Sequence, residues 1–508
     1  MGNSPRTVSI HILDDDSLLH VFHLYRPFLL GEDQDDSARR RGGKGGWVRG
    51  RWWYRLAHVC QRWRDVILRS PSYLELSLVC TNGTPVADML AYSPLLPLVI
   101  DYSSRDISTE DEEGIILALR QRDRVYRVRL QLPATSLQKL IVAMDEEYPI
   151  LEYLIIVLPT VDKSTILVFS ETFQAPHLRH LRLRGFTLPT GCRLLTTAVG
   201  LVTLHLIMFQ PSTYFHPNAL LQWISLMPQL DTLAILFKLP IPTRDVERQL
   251  RQLTRTPIMT HITLPNLRHF QYHGVSTYLE ALVHRITTPR LEKFDIEFFN
   301  QLTFSVPRLL QFMDTAENFR FHSARFAFFD EQVEVAVYSH QPHEAEMYPL
   351  GIIVFSRDLD WQVSSSAQIS NSLSQIFSAV ELLTLVHKEH TRSSEEHNEV
   401  DRTEWRRFLR PFSNVKTLRI NNELVRVLSR CLEPEDGELP LELLPELQEL
   451  TYFASDDAYD AFTSFIDTRQ NADRPITLVR RSPSPSPDPS SSVPITPANN
   501  GAGGDQDT

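Results

Sequence analysis

The sequence is poor in the features that mark secreted, membrane-spanning or metal-binding proteins. Only four cysteines, Cys60, Cys80, Cys192 and Cys431, occur among 508 residues, and no two of them form a CxxC pair. A disulfide framework or a zinc knuckle needs closer, paired cysteines, so we expect buried free thiols. No apolar run reaches the length of about 20 residues that a membrane-spanning helix needs. These absences predict a folded protein with no membrane partner.

Positive charge is not in excess either. The formal net charge of -11 argues against nucleic acid as a partner, because phosphates attract proteins with a basic footprint. The glycine-rich stretch around Lys44 is no phosphate loop, since Gly follows the lysine where Ser or Thr is required. The first residues lack the charged-then-apolar pattern of a signal peptide, so we expect an intracellular protein, cytoplasmic or nuclear.

Catalytic and cofactor-binding motifs are missing as well. The sequence has no G-x-S-x-G elbow, no G-x-G-x-x-G loop and no H-E-x-x-H zinc motif. Acidic residues between Asp101 and Glu113 lack the alternating spacing of a calcium loop, and we interpret them as a solvated connection. The expectation is a non-catalytic protein without cofactor or metal, and an enzyme with an unrecognised site is the lesser alternative.

The first 80 residues carry two helical patterns separated by a polar, glycine-rich stretch. Acidic residues at 14–16 offer an N-cap for a first helix, and Pro27 ends that helix. Apolar residues at helical spacing resume at Trp52 and run to Ile67, where Ser70-Pro71 breaks the pattern. Three small helices cannot bury this much apolar surface alone, so the unit predicts a partner surface.

Two segments of this unit form a recognisable motif. They are Leu18-Leu19-His20-Val21-Phe22 and Leu56-Ala57-His58-Val59-Cys60-Gln61-Arg62-Trp63-Arg64, and Ser70-Pro71 follows the second. Together these segments resemble an F-box. The arrangement is similar to F-box proteins of mushroom-forming fungi, in which a pair like Tyr25-Arg26 precedes the second half. The alternative is an ordinary helical cap on the domain that follows.

The resemblance implies a partner and a role. Residues 1–80 would form a small three-helix F-box, with a disordered insert near 31–50, that docks on the Skp-type adaptor of a cullin–RING (SCF) ubiquitin ligase. Other subunits would transfer ubiquitin. The motif's apolar positions, which would make the contact, are Leu13, Leu18, Leu19, Phe22, Val59, Cys60 and Trp63.

A second signal, an apolar triplet at positions i, i+3 and i+5, begins near residue 124. The triplets start at Val125, Leu151, Leu178, Leu201, Leu230, Leu267, Leu291, Ala316, Val380, Val415 and Leu447. Six of the ten steps between them are 23 to 29 residues long, which matches a leucine-rich repeat period of about 20–29. One step of 64 residues predicts a degenerate repeat near 333–337 or 352–355. Prolines such as Pro176 and Pro228 precede several triplets and mark the start of strands.

Residues i+3 and i+5 of each triplet lie two positions apart, so on a strand their side chains point to the same face of the sheet. Because both are apolar, we expect that face to be turned towards the core. The sequence therefore predicts an α/β fold in which the helical unit precedes an irregular leucine-rich-repeat solenoid over 81–478. Parallel strands would be backed by helices such as 219–227 and 306–313. The Ser-Pro-rich tail over 479–508 cannot bury a core and should be disordered.

Residues that alternate with the inward pair should line a concave strand face, where an unknown target protein would bind. The early strands of the solenoid carry more basic residues than the later ones. An acidic segment of the target could therefore bind at the N-terminal end of the solenoid. The candidate target-binding residues are Arg127, Arg129, His180, Arg182, Arg184, His269 and His273. A repeat scaffold without a ligase role is the rival function: there the chain's own repeats should bury Trp63, whereas an F-box leaves it partly exposed.

Overall fold

Three short helices precede a long, mostly parallel sheet backed by further helices. The computed structural model describes residues 13–25, 52–159, 167–189, 191–209, 214–238, 261–299, 304, 306–314, 316, 319–339, 348–388, 402–421, 424–433, 442–453 and 461–481. The predicted insert near 31–50 lies outside these ranges. So does the predicted tail over 479–508, except for residues 479–481, which form the end of a strand and not part of a tail. Within the described residues, no helix is long and apolar enough to cross a membrane.

The helices and strands alternate along most of the chain. The helices are α1 (Asp15–Tyr25), α2 (Trp52–Ala57), α3 (Gln61–Arg69), α4 (Val86–Tyr92), α5 (Thr109–Leu119), α6 (Ala134–Ala143), α7 (Arg193–Thr197), α8 (Pro217–Ser225), α9 (Ser276–Val283), α10 (Pro307–Asp314), α11 (Leu359–Ser372), α12 (Ser374–Phe377), α13 (Arg402–Leu409), α14 (Val425–Leu432) and α15 (Thr463–Asn471). The strands are β1 (Leu78–Cys80), β2 (Leu98–Ser103), β3 (Val125–Gln131), β4 (Tyr153–Val157), β5 (Leu167–Val168), β6 (His180–Arg184), β7 (Phe186–Thr187), β8 (Thr203–Met208), β9 (Thr232–Phe237), β10 (Ile262–Thr263), β11 (His269–Gly274), β12 (Ile286–Thr287), β13 (Lys293–Phe298), β14 (Ser323–Phe329), β15 (Gln332–Tyr338), β16 (Leu350–Phe355), β17 (Leu382–Lys388), β18 (Thr417–Ile420), β19 (Glu449–Phe453) and β20 (Thr477–Arg481).

Sixteen of these strands form one sheet in the order β1-β2-β3-β4-β6-β8-β9-β11-β13-β16-β15-β14-β17-β18-β19-β20. The remaining four form two small parallel pairs, β5 with β7 and β10 with β12. The inward side chains of the large sheet and the buried side chains of the helices belong to one continuous apolar core. The predicted α/β architecture of parallel strands backed by helices is therefore confirmed.

The apolar triplets explain the register of the sheet. Val128 and Leu130 of β3 pair with Leu154 and Ile156 of β4, and the same positions continue in register through β13. A second run in register joins β17, β18 and β19. Ten of the eleven predicted triplets place their last two residues on these strands, and all twenty of those residues are buried. Neighbouring repeats thus bury one another's apolar faces.

The triplet that starts at Ala316 is the exception. Its members Phe319 and Phe321 precede β14, and the sheet instead pairs Ala324 and Phe326 with Leu383 and Leu385 of β17. The predicted register was therefore wrong by five residues, because this phenylalanine-rich run offers more than one apolar alternation.

The 64-residue step holds more than the one repeat that was predicted. β14, β15 and β16 all lie within it, and β15 is antiparallel to both β14 and β16. β16 then pairs in parallel with β13, whereas β14 pairs in parallel with β17. One antiparallel strand therefore separates two parallel blocks, of ten and five strands.

A repeated backbone hydrogen-bond pattern fixes each strand to the next. The carbonyl of Glu152, just before β4, accepts the N–H groups of Arg179 and His180 at 2.9 and 3.0 Å. The carbonyl of Asp231 accepts those of Arg268 and His269 in the same way at β11. These bonds pair backbone groups that the loops would otherwise leave without partners.

The acidic stretch that was interpreted as a solvated connection is part of the fold. Asp101 lies on β2, and the residues from Thr109 form α5. The Ser108 hydroxyl accepts the Asp111 backbone N–H at 3.1 Å and caps this helix. The acidic residues occupy its first turn, where the positive end of the helix dipole favours them.

Buried polar side chains connect different repeats across the core. The Tyr148 and Tyr278 hydroxyls donate to the carbonyls of Leu119 and Phe215 in preceding repeats, each at 3.0 Å. Arg406 and Arg469 are buried and donate to backbone carbonyls of adjoining segments. Such bonds satisfy carbonyls that the irregular loops leave inside the protein.

Candidate protein-binding surfaces

The first helix of the N-terminal unit is fixed at its start by charged side chains. The Asp14 carboxylate accepts the Ser17 backbone N–H at 2.6 Å, and this bond lowers the pKa of the Asp14 carboxyl. Arg62 of α3 donates to the Leu13 carbonyl at 2.6 Å and to the Asp15 carboxylate at 2.8 Å. The start of α1 is therefore in direct contact with α3.

Two of the seven predicted adaptor-binding residues are interior. Leu18 and Phe22 are buried within the chain, and the Phe22 ring packs edge-on against Trp63 at 4.9 Å. Their side chains stabilise the unit from inside and leave no surface for a partner. Leu13, Leu19, Cys60 and Trp63 are half-buried, and Val59 is exposed.

Most of the exposed apolar side chains of the unit stand outside the seven predicted positions, and Val59 is the exception. Leu24 is 71% exposed, Val59 is 58% exposed, and Val21 and Tyr25 are also exposed. Val21 and Leu24 are three residues apart on α1, so they lie on one side of that helix. Motif matching missed Val21, Leu24 and Tyr25 because exposure depends on packing, which the spacing of apolar residues does not fix.

Two further tryptophans connect the unit to the sheet. Trp52 and Trp53 on α2 are buried, and the Trp53 indole donates to the Ser77 carbonyl at 3.3 Å, next to β1. β1 itself, although it lies within the predicted first unit, is the first strand of the large sheet. The unit and the repeats therefore share one core.

A second surface is the strand face, by which we mean the side chains of the large sheet that alternate with the buried pairs. Pairing between neighbouring strands aligns these side chains in three rows that cross β3, β4, β6 and β8. On β3 the rows begin at Arg127, Arg129 and Gln131. The face residues of β4, β6 and β8 are Tyr153, Ile155 and Val157, then His180, Arg182 and Arg184, then Thr203, His205 and Ile207. No face position on β3, β4, β6 or β8 holds a carboxylate.

Five of the seven predicted target-binding residues lie together on this part of the sheet. We call Arg127, Arg129, His180, Arg182 and Arg184 the basic face. His205, one strand further, was missed by sequence reasoning although the same alternation points to it. His269 and His273 are on β11, beyond the apolar face residues of β8 and β9.

Comparisons with known proteins give only distant similarity. No protein-family profile matches the chain, and no curated protein matches it. A crystal structure of a TLR13–ssRNA13 complex is similar at 10% identity and a TM-score of 0.28, over 80% of this chain and 49% of that one, so the chain spans about half its length. The leucine-rich repeat-containing protein LegL7 from Legionella pneumophila is similar at 10% identity and a TM-score of 0.22, over 77% of this chain and 97% of that one. These scores are too low to carry an argument, so the architecture rests on the sheet register.

The described residues offer no group of three or more His, Cys, Asp or Glu side chains that could hold a metal ion. All four cysteines are free thiols, of which three are buried and Cys60 is half-buried. Burial raises the pKa of the Cys192 thiol, which keeps it protonated and unreactive. The helical unit and the strand face therefore offer a partner apolar contact area and charge.

His273 lies beside Glu297 on the strand face. The His273 Nδ1 atom lies 3.0 Å from the Glu297 carboxylate, and His273 is only 5% exposed. Burial by itself raises the pKa of Glu297, but the hydrogen bond and charge of His273, with Lys238 nearby, more than offset it and leave the pKa below the ordinary value. His273 thus has a structural partner, unlike a residue reserved for a target.

We expect the Glu297→Gln variant to lose stability in a pH-dependent way. Because the folded-state pKa of Glu297 is lowered, its contribution is fully present above the ordinary value of 4.5 and is lost as pH falls through the folded-state pKa. The variant should be about 1 kcal/mol less stable near pH 6.5, and this difference should shrink towards pH 3. Urea unfolding of both proteins across this range measures the effect, and a difference that grows on acidification would contradict it.

Proposed function

We propose that this chain is a non-catalytic, substrate-recruiting F-box subunit of an SCF-type ubiquitin ligase, acting in the cytoplasm or nucleus. The N-terminal helices bind the Skp-type adaptor, and the strand face binds a target protein. The chain's contribution to ubiquitin transfer is proximity, because it holds the target near the conjugating enzyme.

The observation that carries this proposal is the uneven burial of the N-terminal unit. Leu18, Phe22 and the α2 tryptophans are buried, yet Val21 and Leu24 of α1 and Val59 between α2 and α3 remain exposed. Apolar side chains that stay exposed beside an already packed core indicate a surface for a partner. Trp63 is half-buried, as the F-box interpretation expects and full burial under the repeats would not allow.

A leucine-rich-repeat-like scaffold without a ligase role is the second candidate. It is favoured by the contact between α2 and the start of the sheet, where Trp53 donates to the Ser77 carbonyl. In that case the three helices are an N-terminal cap that shields the apolar end of the sheet.

Co-expression of the full chain with a Skp-type adaptor, followed by affinity capture, tests the proposal. We expect Leu24→Asp and Val59→Asp each to weaken capture at least about tenfold, because each introduces a charge at an exposed apolar position. The matched control is Val142→Asp, since Val142 on α6 is 74% exposed but lies outside the unit.

Circular dichroism should show all three variants folded, because each substituted side chain is exposed in the wild type. Capture that survives both substitutions in the helical unit, or no capture by the wild-type chain, rejects the ligase role and favours the scaffold. Loss of capture by the Val142 variant as well would show that the effect is not local.

A further inference from the structure

The strand face carries two basic stripes on either side of an apolar stripe. β3 contributes Arg127 and Arg129, and β6 contributes Arg182 and Arg184. Between them β4 contributes the half-buried side chains of Ile155 and Val157, with Tyr153 at its start. Neighbouring strands lie about 4.8 Å apart, so the basic stripes are separated by about 10 Å with the apolar stripe between them.

Ring contacts hold these side chains in place. The Tyr153 and His180 rings stack at 4.5 Å with an angle of 5° between their planes, and the Arg127 guanidinium lies 5.2 Å from the centroid of the Tyr153 ring. His180 Nδ1 is 3.1 Å from the Thr203 hydroxyl. On the far side, the Arg184 guanidinium lies 5.0 Å from the centroid of the Phe209 ring. Ordered arginines lose little conformational entropy when they bind a ligand.

The charge of this area is opposite to that of the whole chain. The chain carries a net charge of -11, and carboxylates such as Asp295, Glu297 and Glu334 lie on the strand face further along. Asp101 of β2 pairs in register with Arg129 and bounds the basic area on its other side. A long polyanion such as nucleic acid would meet repulsion beyond the basic face, whereas a short acidic segment fits within it.

We propose that the basic face binds a short acidic segment of a protein in which carboxylates flank an apolar side chain. The carboxylates contact the arginines of β3 and β6, and the apolar side chain packs on Ile155 and Val157 of β4. Arginine suits this role because its planar fork donates two parallel hydrogen bonds to a carboxylate. The inference rests on the proposed function, since it describes the target-binding half of the same adaptor.

The test uses the full chain and a fluorescein-labelled peptide, acetyl-Glu-Glu-Leu-Glu-Glu-Leu-Glu-Glu-amide, with binding measured by fluorescence anisotropy. Arg182→Gln is expected to weaken binding about tenfold, because it removes charge-assisted hydrogen bonds. The matched control is Arg419→Gln, since Arg419 occupies a face position on β18 in the other parallel block. That variant should bind like the wild type.

Two further measurements separate the apolar and the electrostatic contributions to peptide binding. Replacing both leucines of the peptide with serine should weaken binding about fivefold or more, because the apolar contact is lost. Added salt should weaken binding of the original peptide. Equal binding of the serine peptide, equal loss with Arg419→Gln, tighter binding of a single-stranded DNA or a phosphoserine peptide, or no binding would each overturn the proposal.

Adaptor capture and peptide binding report on different surfaces. A chain that captures the Skp-type adaptor but does not bind the peptide loses this inference and keeps the ligase role. A chain that binds the peptide but captures no adaptor keeps the basic face as a binding surface of a repeat scaffold.

Discussion

Replacing Phe326 with alanine is expected to destabilise the protein by about 3–5 kcal/mol, because a large aromatic side chain leaves a cavity that the core cannot fill. Phe326 is fully buried on β14, and its ring contacts those of Phe377, Phe408 and Phe412, with centroids 5.8, 4.8 and 5.9 Å away. These rings come from the helix and loop segments behind β14 and β17, so the cavity would open between repeats. Urea unfolding followed by near-ultraviolet circular dichroism measures the loss.

The matched control for this prediction is Phe319→Ala. Phe319 was the inward residue in the register predicted from the triplet pattern, but it is only half-buried and precedes β14. We expect the control to cost about 1 kcal/mol, because less apolar surface is lost. A larger cost for Phe319→Ala than for Phe326→Ala would restore the register that the triplet predicted.

Arg469→Met is the second substitution with a large expected effect. Arg469 on α15 is fully buried and donates to the carbonyls of Leu444, Pro445 and Leu447, each at 3.1 Å. Burial lowers the pKa of its guanidinium, so charging it has a cost that the three hydrogen bonds offset. Methionine is similarly long but donates nothing, and leaving these carbonyls without partners should cost about 3 kcal/mol.

Hydrogen exchange is the suitable measurement, because the last repeats can open without the rest of the chain. We expect amides of β19 and α15 to exchange faster in Arg469→Met, while those of β3 to β9 stay unchanged. Arg474→Met is the control, since Arg474 is exposed in the same repeat and lies 3.8 Å from the Glu446 carboxylate. Its effect should be below about 0.5 kcal/mol. Equal exchange in both variants would show that the buried hydrogen bonds contribute little.

The repeats were predictable because burial on a strand has a period of two. Leucine pairs such as Leu181 and Leu183 stand in that spacing, and the sheet aligns them in register with Leu204 and Leu206. The same property limits the prediction at β15. Val333, Val335 and Val337 alternate equally well in either strand direction, so the sequence could not indicate that this strand is antiparallel.

The candidate surfaces were predictable only in part, for a different physical reason. Alternation identifies which residues leave the core, and the sheet places Arg127, Arg182 and Arg184 on one face. It does not reveal which neighbours occupy those residues, so the partnership of His273 with Glu297 emerged only from the structure. In the helical unit, the motif could not separate interior positions such as Phe22 from exposed ones such as Leu24.

The antiparallel strand β15 has a consequence for how the protein forms during translation. Up to β13, each new strand of the large sheet can add to the one made before it, so the sheet can grow behind the ribosome. β14 cannot do so, because its neighbours are β15 and β17, and both are synthesised after it. Sheet growth must therefore wait at β13 until β16 has emerged and paired with it. The strand order therefore imposes one delay on assembly during synthesis, between the completion of β13 and that of β16.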